Sequence, residues 1–120
     1  MKFDLEDRLV NFSVLVLNLA GSLPDTRTCN HLAKQVIRSC TCPALTYGEA
    51  QSAESPKDFI HKMKIALKEL RETFINLKII QKKKCLKDQA LIQQAMKENN
   101  ELISIFVKSI STAQGNLDAS

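Results

Sequence analysis

Nine lysines and one arginine fall between Ser55 and Lys87, against Asp58, Glu69 and Glu72 alone. That segment nets +7, and since the 120-residue chain totals +4, the remainder nets −3. Lys57, His61, Lys64, Lys68, Arg71, Lys78 and Lys82 recur at steps of three, four or seven. At about 100° per residue these share one face of a helix. A row of ammonium and guanidinium groups can neutralise phosphates in a sequence-independent, salt-sensitive way. Aromatic interleaving is missing: Tyr47 is the one tyrosine, and the phenylalanines fall on apolar faces. That disfavours stacking on single-stranded bases and favours the backbone or shape of structured RNA or duplex nucleic acid. An acidic protein surface would satisfy the same charges, and a merely solvated lysine face is the plain structural reading. The candidate nucleic-acid-binding residues are therefore Lys57, Lys64, Lys68, Arg71, Lys78 and Lys82.

Other chemistry is weaker. Cys40 and Cys42, with Cys29, His31 and His61, contain metal-ligand types. On a helix, however, positions i and i+2 point about 200° apart, and a zinc knuckle needs two or more intervening residues. Small packing residues are the better reading. Glu69, Glu72 and Glu49 could gather carboxylates, but no Glu-x-x-His occurs, so a di-iron site is not expected. Pairing of Glu69 and Glu72 with Lys68, Arg71 or Lys78 is expected instead, with a buried Glu49 bonding a neighbouring helix near Pro43 as a second option. No phosphate-cradling glycine loop or nucleophile elbow is present. Ser39, Ser52 and Tyr47 lack an evident base. Neither an enzymatic activity, a cofactor nor a metal is expected.

The elements that must position the basic row are helices. Gly and Pro number three each and aromatics are 5%. Few turns in one domain-sized chain mean few, long elements around an aliphatic core. The chain opens Met1, Lys2, Phe3, Asp4, without a charged-then-apolar leader. The longest wholly apolar run is Val14 to Leu17, against the roughly 20 residues that span a bilayer. A cytoplasmic protein with reduced thiols and no membrane partner is expected.

Four helical segments follow from the spacing. The first runs from about Asp4 to Ala20, with Asp4 as N-cap, Glu6 and Asp7 in the first turn, and Gly21 and Pro24 as stop signals. It has two apolar faces: Leu9, Phe12, Val16, Leu19 and Ala20, then Val10, Val14 and Leu17. Asp7, Arg8, Asn11 and Asn18 mark its polar wedge. The second apolar face predicts a subunit interface. The second segment runs from Asp25 or Thr26 to Ala50, with Leu32, Val36 and Ile37 facing the core and a kink or interruption at Pro43. Gln51 to Glu54 links to the third, which begins at Ser55-Pro56 with Asp58 in its first turn and ends near Lys82 or Lys84. Phe59, Met63, Ala66, Leu70, Phe74, Leu77 and Gln81 predict its core face. The fourth starts at Asp88 and carries Leu91, Ile92, Ala95, Met96, Asn99, Leu102, Ile103, Phe106, Val107 and Ile110. A loose polar tail is expected over Gly115 to Ser120. The resulting fold class is all-α, a single antiparallel up-down four-helix bundle.

Asn30-His31-Leu32-Ala33, Ile37-Arg38-Ser39 and Pro43-Ala44-Leu45-Thr46-Tyr47-Gly48-Glu49-Ala50 resemble the second-helix signature of a bacterial four-helix bundle family. Its members are encoded in intervening sequences of 23S ribosomal RNA genes. Ser55 to Asp58, Lys68-Glu69-Leu70-Arg71-Glu72-Thr73 and Asn100-Glu101-Leu102 fit its third and fourth helices. The resemblance implies an up-down bundle assembled as a ring, a homopentamer. It also implies similarity to the accessory proteins of diversity-generating retroelements, basic pentamers that bind a reverse transcriptase and nucleic acid. Cys40 and Cys42 stand where Gly or Ser is usual, and Thr46 where Asn is common. The family has no established enzymatic activity, so no catalytic residue carries over.

Overall fold

The computed structural model describes residues 4–120, so the opening Met1-Lys2-Phe3 lies outside the described residues. Five helices follow in order: α1 (Leu5–Gly21), α2 (Arg27–Cys40), α3 (Cys42–Gln51), α4 (Pro56–Lys83) and α5 (Gln89–Ala119). Among the described residues there is no strand. The molecule measures 53 × 28 × 20 Å.

Caps set the helix starts. The Asp4 carboxylate accepts from Glu6 N at 3.0 Å, and Thr26 Oγ1 accepts from Cys29 N at 3.1 Å. Ser55 Oγ accepts from Asp58 N at 3.1 Å, and the Asp88 carboxylate accepts from Ala90 N at 3.0 Å. Each side chain satisfies an amide that has no partner inside its helix. At Pro43, where a kink or an interruption is expected, the helix is interrupted: Thr41 closes α2 and opens α3, with Pro43 in the first turn of the new helix. Proline is tolerated there because a first-turn amide has no helical partner to lose. α4 ends on Lys84 at φ 59°, whose amide reaches Gln81 O at 3.1 Å. Cys85 N then reaches Ile80 O at 3.4 Å, so a left-handed residue closes the helix as a glycine usually does.

α1 packs on α2, α3 and α5, and α4 packs on the same three helices. α1 and α4 thus lie across the core from one another. Ser13 Oγ donates to Cys40 O at 3.0 Å, and Asn76 Nδ2 donates to Ser39 Oγ at 3.1 Å. Arg8 binds Glu98 at 2.7 Å and Glu101 at 3.2 Å. These registers are compatible with an up-down order of the helices.

The core contains Leu9, Phe12, Val16, Met63, Leu70, Leu77, Ile92, Leu102 and Phe106, all 1% exposed or less. Several positions depart from the spacing. Ile60, Thr73 and Ile80 are buried on α4, whereas Phe59, Phe74 and Gln81 are half-buried. Met63, Ala66, Leu70 and Leu77 are buried as the spacing predicts, and only at the other three positions does the adjacent residue take the buried place. Ile37 is exposed because it lies about 100° from the buried Val36, and Val107 is likewise exposed beside Phe106. Arg8, in the expected polar wedge, is spent on α5. The loose tail is also corrected: α5 continues to Ala119, and Gln114 Nε2 donates to Asp118 Oδ1 at 2.9 Å across one turn.

Candidate nucleic-acid interface

α4 has the capping signals for a clean start and buries Ile60, Met63, Ala66, Leu70, Thr73, Leu77 and Ile80. Its opposite face must therefore look outward. Lys57, Lys64, Lys68, Arg71, Lys78 and Lys82 are all exposed, as is His61. Among the described residues none of the six cations is in an ion pair, since the pairs are Arg8 with Glu98 and Glu101, and Lys62 with Glu49. From Lys57 to Lys82 the helix rises 25 residue steps, about 38 Å at 1.5 Å per step.

Two features of this face are not legible in the row of lysines. Ile75 and Ile79 lie within it, 53% and 44% exposed. Arg38 and Gln35 of α2 join Lys68, Arg71 and Ile75 of α4 around a groove of about 770 Å³, whose lining also includes the carboxylates of Glu69 and Glu72. The face is thus cationic with an apolar patch, and a second helix widens it.

Glu69 and Glu49 behave differently from expectation. Glu69 does not pair with Lys68, Arg71 or Lys78; it is half-buried towards α3, near Thr46 and Cys42. Burial pushes its carboxyl above the usual carboxylate value, and hydrogen bonding from Thr46 offsets this only in part. Its Oε1 is buried with no partner among the described residues. Glu49 is exposed and accepts from Lys62 Nζ at 2.9 Å, joining α3 to α4 on the surface. Thr73 Oγ1 and Ser39 Oγ, 3.2 Å apart, form with Asn76 a small polar bridge between α4 and α2.

Among the described residues, the cysteines and histidines do not gather three or more together. Among the described residues, the one acidic, thiol or imidazole group close enough to share an ion is Asp4, Glu6 and Asp7, all exposed. Cys40 is fully buried, as a packing residue should be, and its burial pushes the thiol up to about 11. Cys29 contacts Cys85 rather than Cys40 or Cys42.

On α1, Val10 and Val14 are 47% and 49% exposed, and Leu17 is exposed beside them. Leu9, Phe12, Val16, Leu19 and Ala20 are buried. The two apolar faces therefore separate as their spacing predicts, one into the core and one onto the surface. Among the described residues no helix is long and apolar enough to cross a membrane.

These observations define an all-helical bundle with one cationic face and one apolar surface stripe. The chain belongs to the 23S rRNA-intervening sequence protein family, whose model matches residues 2–108. It is similar to a crystal structure from Bacteroides thetaiotaomicron, a protein of unknown function from the S23 ribosomal protein family. The two share 27% identity and a TM-score of 0.81, over 89% of this chain and 98% of that one. No curated protein matches the chain.

Proposed function

We propose that this protein is a non-enzymatic, self-assembling bundle, antiparallel and up-down, that binds nucleic acid through the outer face of α4. Structured RNA is the favoured ligand and duplex DNA the close alternative. The observation that carries this reading is the row of six cations, exposed and without an ion-pair partner among the described residues. Cations left without protein partners keep their full attraction for phosphate. Arg38, across the groove from Lys68 and Arg71, adds to the same field. The binding needs neither metal nor cofactor, and the protein works in the cytoplasm.

Self-assembly uses Val10, Val14 and Leu17. Apolar side chains aligned on a surface stripe gain by leaving water together. The family resemblance supports five copies in a ring. A ring would repeat the +7 segment fivefold and lengthen the cationic surface. The test is binding to a labelled RNA hairpin and to duplex DNA across a salt series, with Lys64→Glu/Lys68→Glu as comparison. Little sequence preference and a steep loss with salt are expected, and the double variant should bind weakly while remaining helical.

A second reading rests on Ile75 and Ile79. Exposed isoleucines among lysines suit an acidic, partly apolar protein surface such as that of a reverse transcriptase. Under that reading the ring is a scaffold. Ile75→Ser/Ile79→Ser would then abolish partner capture and leave RNA binding unchanged.

A further inference from the structure

Cys29 and Cys85 are 56 positions apart, yet their Sγ atoms lie 2.9 Å from one another. Two separate local devices bring them together. Cys29 occupies the first turn of α2, where its amide is held by Thr26 Oγ1 at 3.1 Å. Cys85 follows Lys84, whose left-handed backbone turns the chain inward so that Cys85 N reaches Ile80 O. Both cysteines are buried, and the contact joins the start of α2 to the α4–α5 turn.

The two thiols are not equivalent. Sharing a proton with Cys85 pulls the Cys29 thiol below its ordinary value, with smaller help from Thr26 and Lys83. The positive end of α2 acts in the same direction. Burial pushes Cys85 up. Cys85, with Ser22, Pro24, Leu86 and Lys87, lines an open cavity of about 430 Å³ at this end of the bundle, which gives a small disulfide a place to meet it. Cys40 and Cys42 differ from this pair, since their Sγ atoms face the backbone carbonyls of Ile37 at 3.6 Å and Arg38 at 3.1 Å.

We propose that Cys29 and Cys85 are a redox-responsive pair that closes to an intramolecular disulfide on reaction with a small-molecule disulfide such as oxidised glutathione. Cys85 exchanges first: a Cys85–glutathione bond forms, the glutathione S–S bond breaks, and one glutathione thiol leaves with the Cys85 proton. The Cys29 thiolate then attacks the Cys85 sulfur. The second glutathione leaves and takes up the proton released by Cys29. The protein loses two electrons and the glutathione disulfide gains them. The closed pair clasps α2 to the turn that carries Lys83, Lys84 and Lys87. This proposal rests on the thiol contact and does not depend on nucleic-acid binding.

The test uses the full chain, reduced and then incubated with oxidised glutathione. Thiol titration under denaturing conditions should fall from four groups to two, with one Cys29–Cys85 cross-linked peptide in a protease digest. The thermal midpoint should rise by roughly 5–15 °C and return on reduction. Cys85→Ala should show neither change. Cys40→Ser/Cys42→Ser, with Cys29 and Cys85 as its remaining thiols, should still close; the wild-type digest decides the matter if that variant does not fold. Four thiols persisting, stable glutathione adducts, or cross-links through Cys40, Cys42 or a second chain would each overturn the proposal.

Discussion

Asn99 sits in the middle of the apolar row of α5, completely buried. Its Oδ1 and Nδ2 both lack a hydrogen-bond partner among the described residues. Ala95, Leu102 and Phe106 are buried on the same helix face, so the site is apolar along α5. A buried amide without partners costs roughly 1–3 kcal/mol relative to an apolar group of similar shape. Leucine has the same branched, four-heavy-atom side chain as asparagine, made somewhat bulkier by two methyl groups in place of the amide oxygen and nitrogen, so Asn99→Leu exchanges that cost for a packing adjustment. The expected net gain is about 1–2 kcal/mol. Asn99→Asp should destabilise, because burying a carboxyl without a partner is worse than burying the amide. Equilibrium urea denaturation followed by circular dichroism, at one fixed protomer concentration, measures both. If Asn99→Leu loses 1 kcal/mol or more, the amide has partners and the reasoning is refuted.

Three further outcomes are expected. Lys84→Gly should stabilise by about 0.5–1 kcal/mol in the same assay, because the left-handed conformation at φ 59° strains any residue with a Cβ. Glu69→Gln should stabilise at neutral pH and have little effect in acid. The Glu69 pKa is raised in the fold, so its protonated form is favoured there, and stability is lost as pH climbs from the ordinary 4.5 through the raised value. A stability–pH curve of the variant should therefore be flatter than wild type across that window. If copies join through this stripe, the wild type should scatter light as an oligomer and Val14→Lys/Leu17→Lys should scatter with a lower mass while preserving helical content, since both side chains are exposed in the protomer.

Where a feature rests on local chemistry it was legible in the chain. Ser55-Pro56 with Asp58 marks the start of α4 because the cap, the proline and the acid act within one turn. Pro43 marks the break for the same reason. The separation of Val10, Val14 and Leu17 from Leu9, Phe12 and Val16 follows from helical phase alone. Features set by tertiary packing were not legible. Thr73 takes the buried place beside Phe74 where its hydroxyl meets Ser39 of α2, a contact no spacing in α4 encodes. Glu69 turns inward because α3 places Thr46 and Cys42 near it, which no spacing in α4 encodes. Arg38 joins the basic face only through the packing of α2 against α4. Cys29 and Cys85 meet across 56 residues, so no local signal links them. The end of α5 was missed because polar composition resembles a tail, although nothing in Gly115 to Ser120 stops a helix outright.

The decisive measurement is the salt dependence of binding to a labelled 20-base-pair duplex and to an RNA hairpin, read by fluorescence anisotropy. If the six cations of α4 each neutralise one phosphate, log K should fall with log salt at a slope of about −5 on duplex DNA. Lys64→Glu/Lys68→Glu should bind more weakly and show a slope shallower by about 2. Absence of binding at low salt, or a slope and affinity unchanged in the double variant, would contradict a nucleic-acid role for this face.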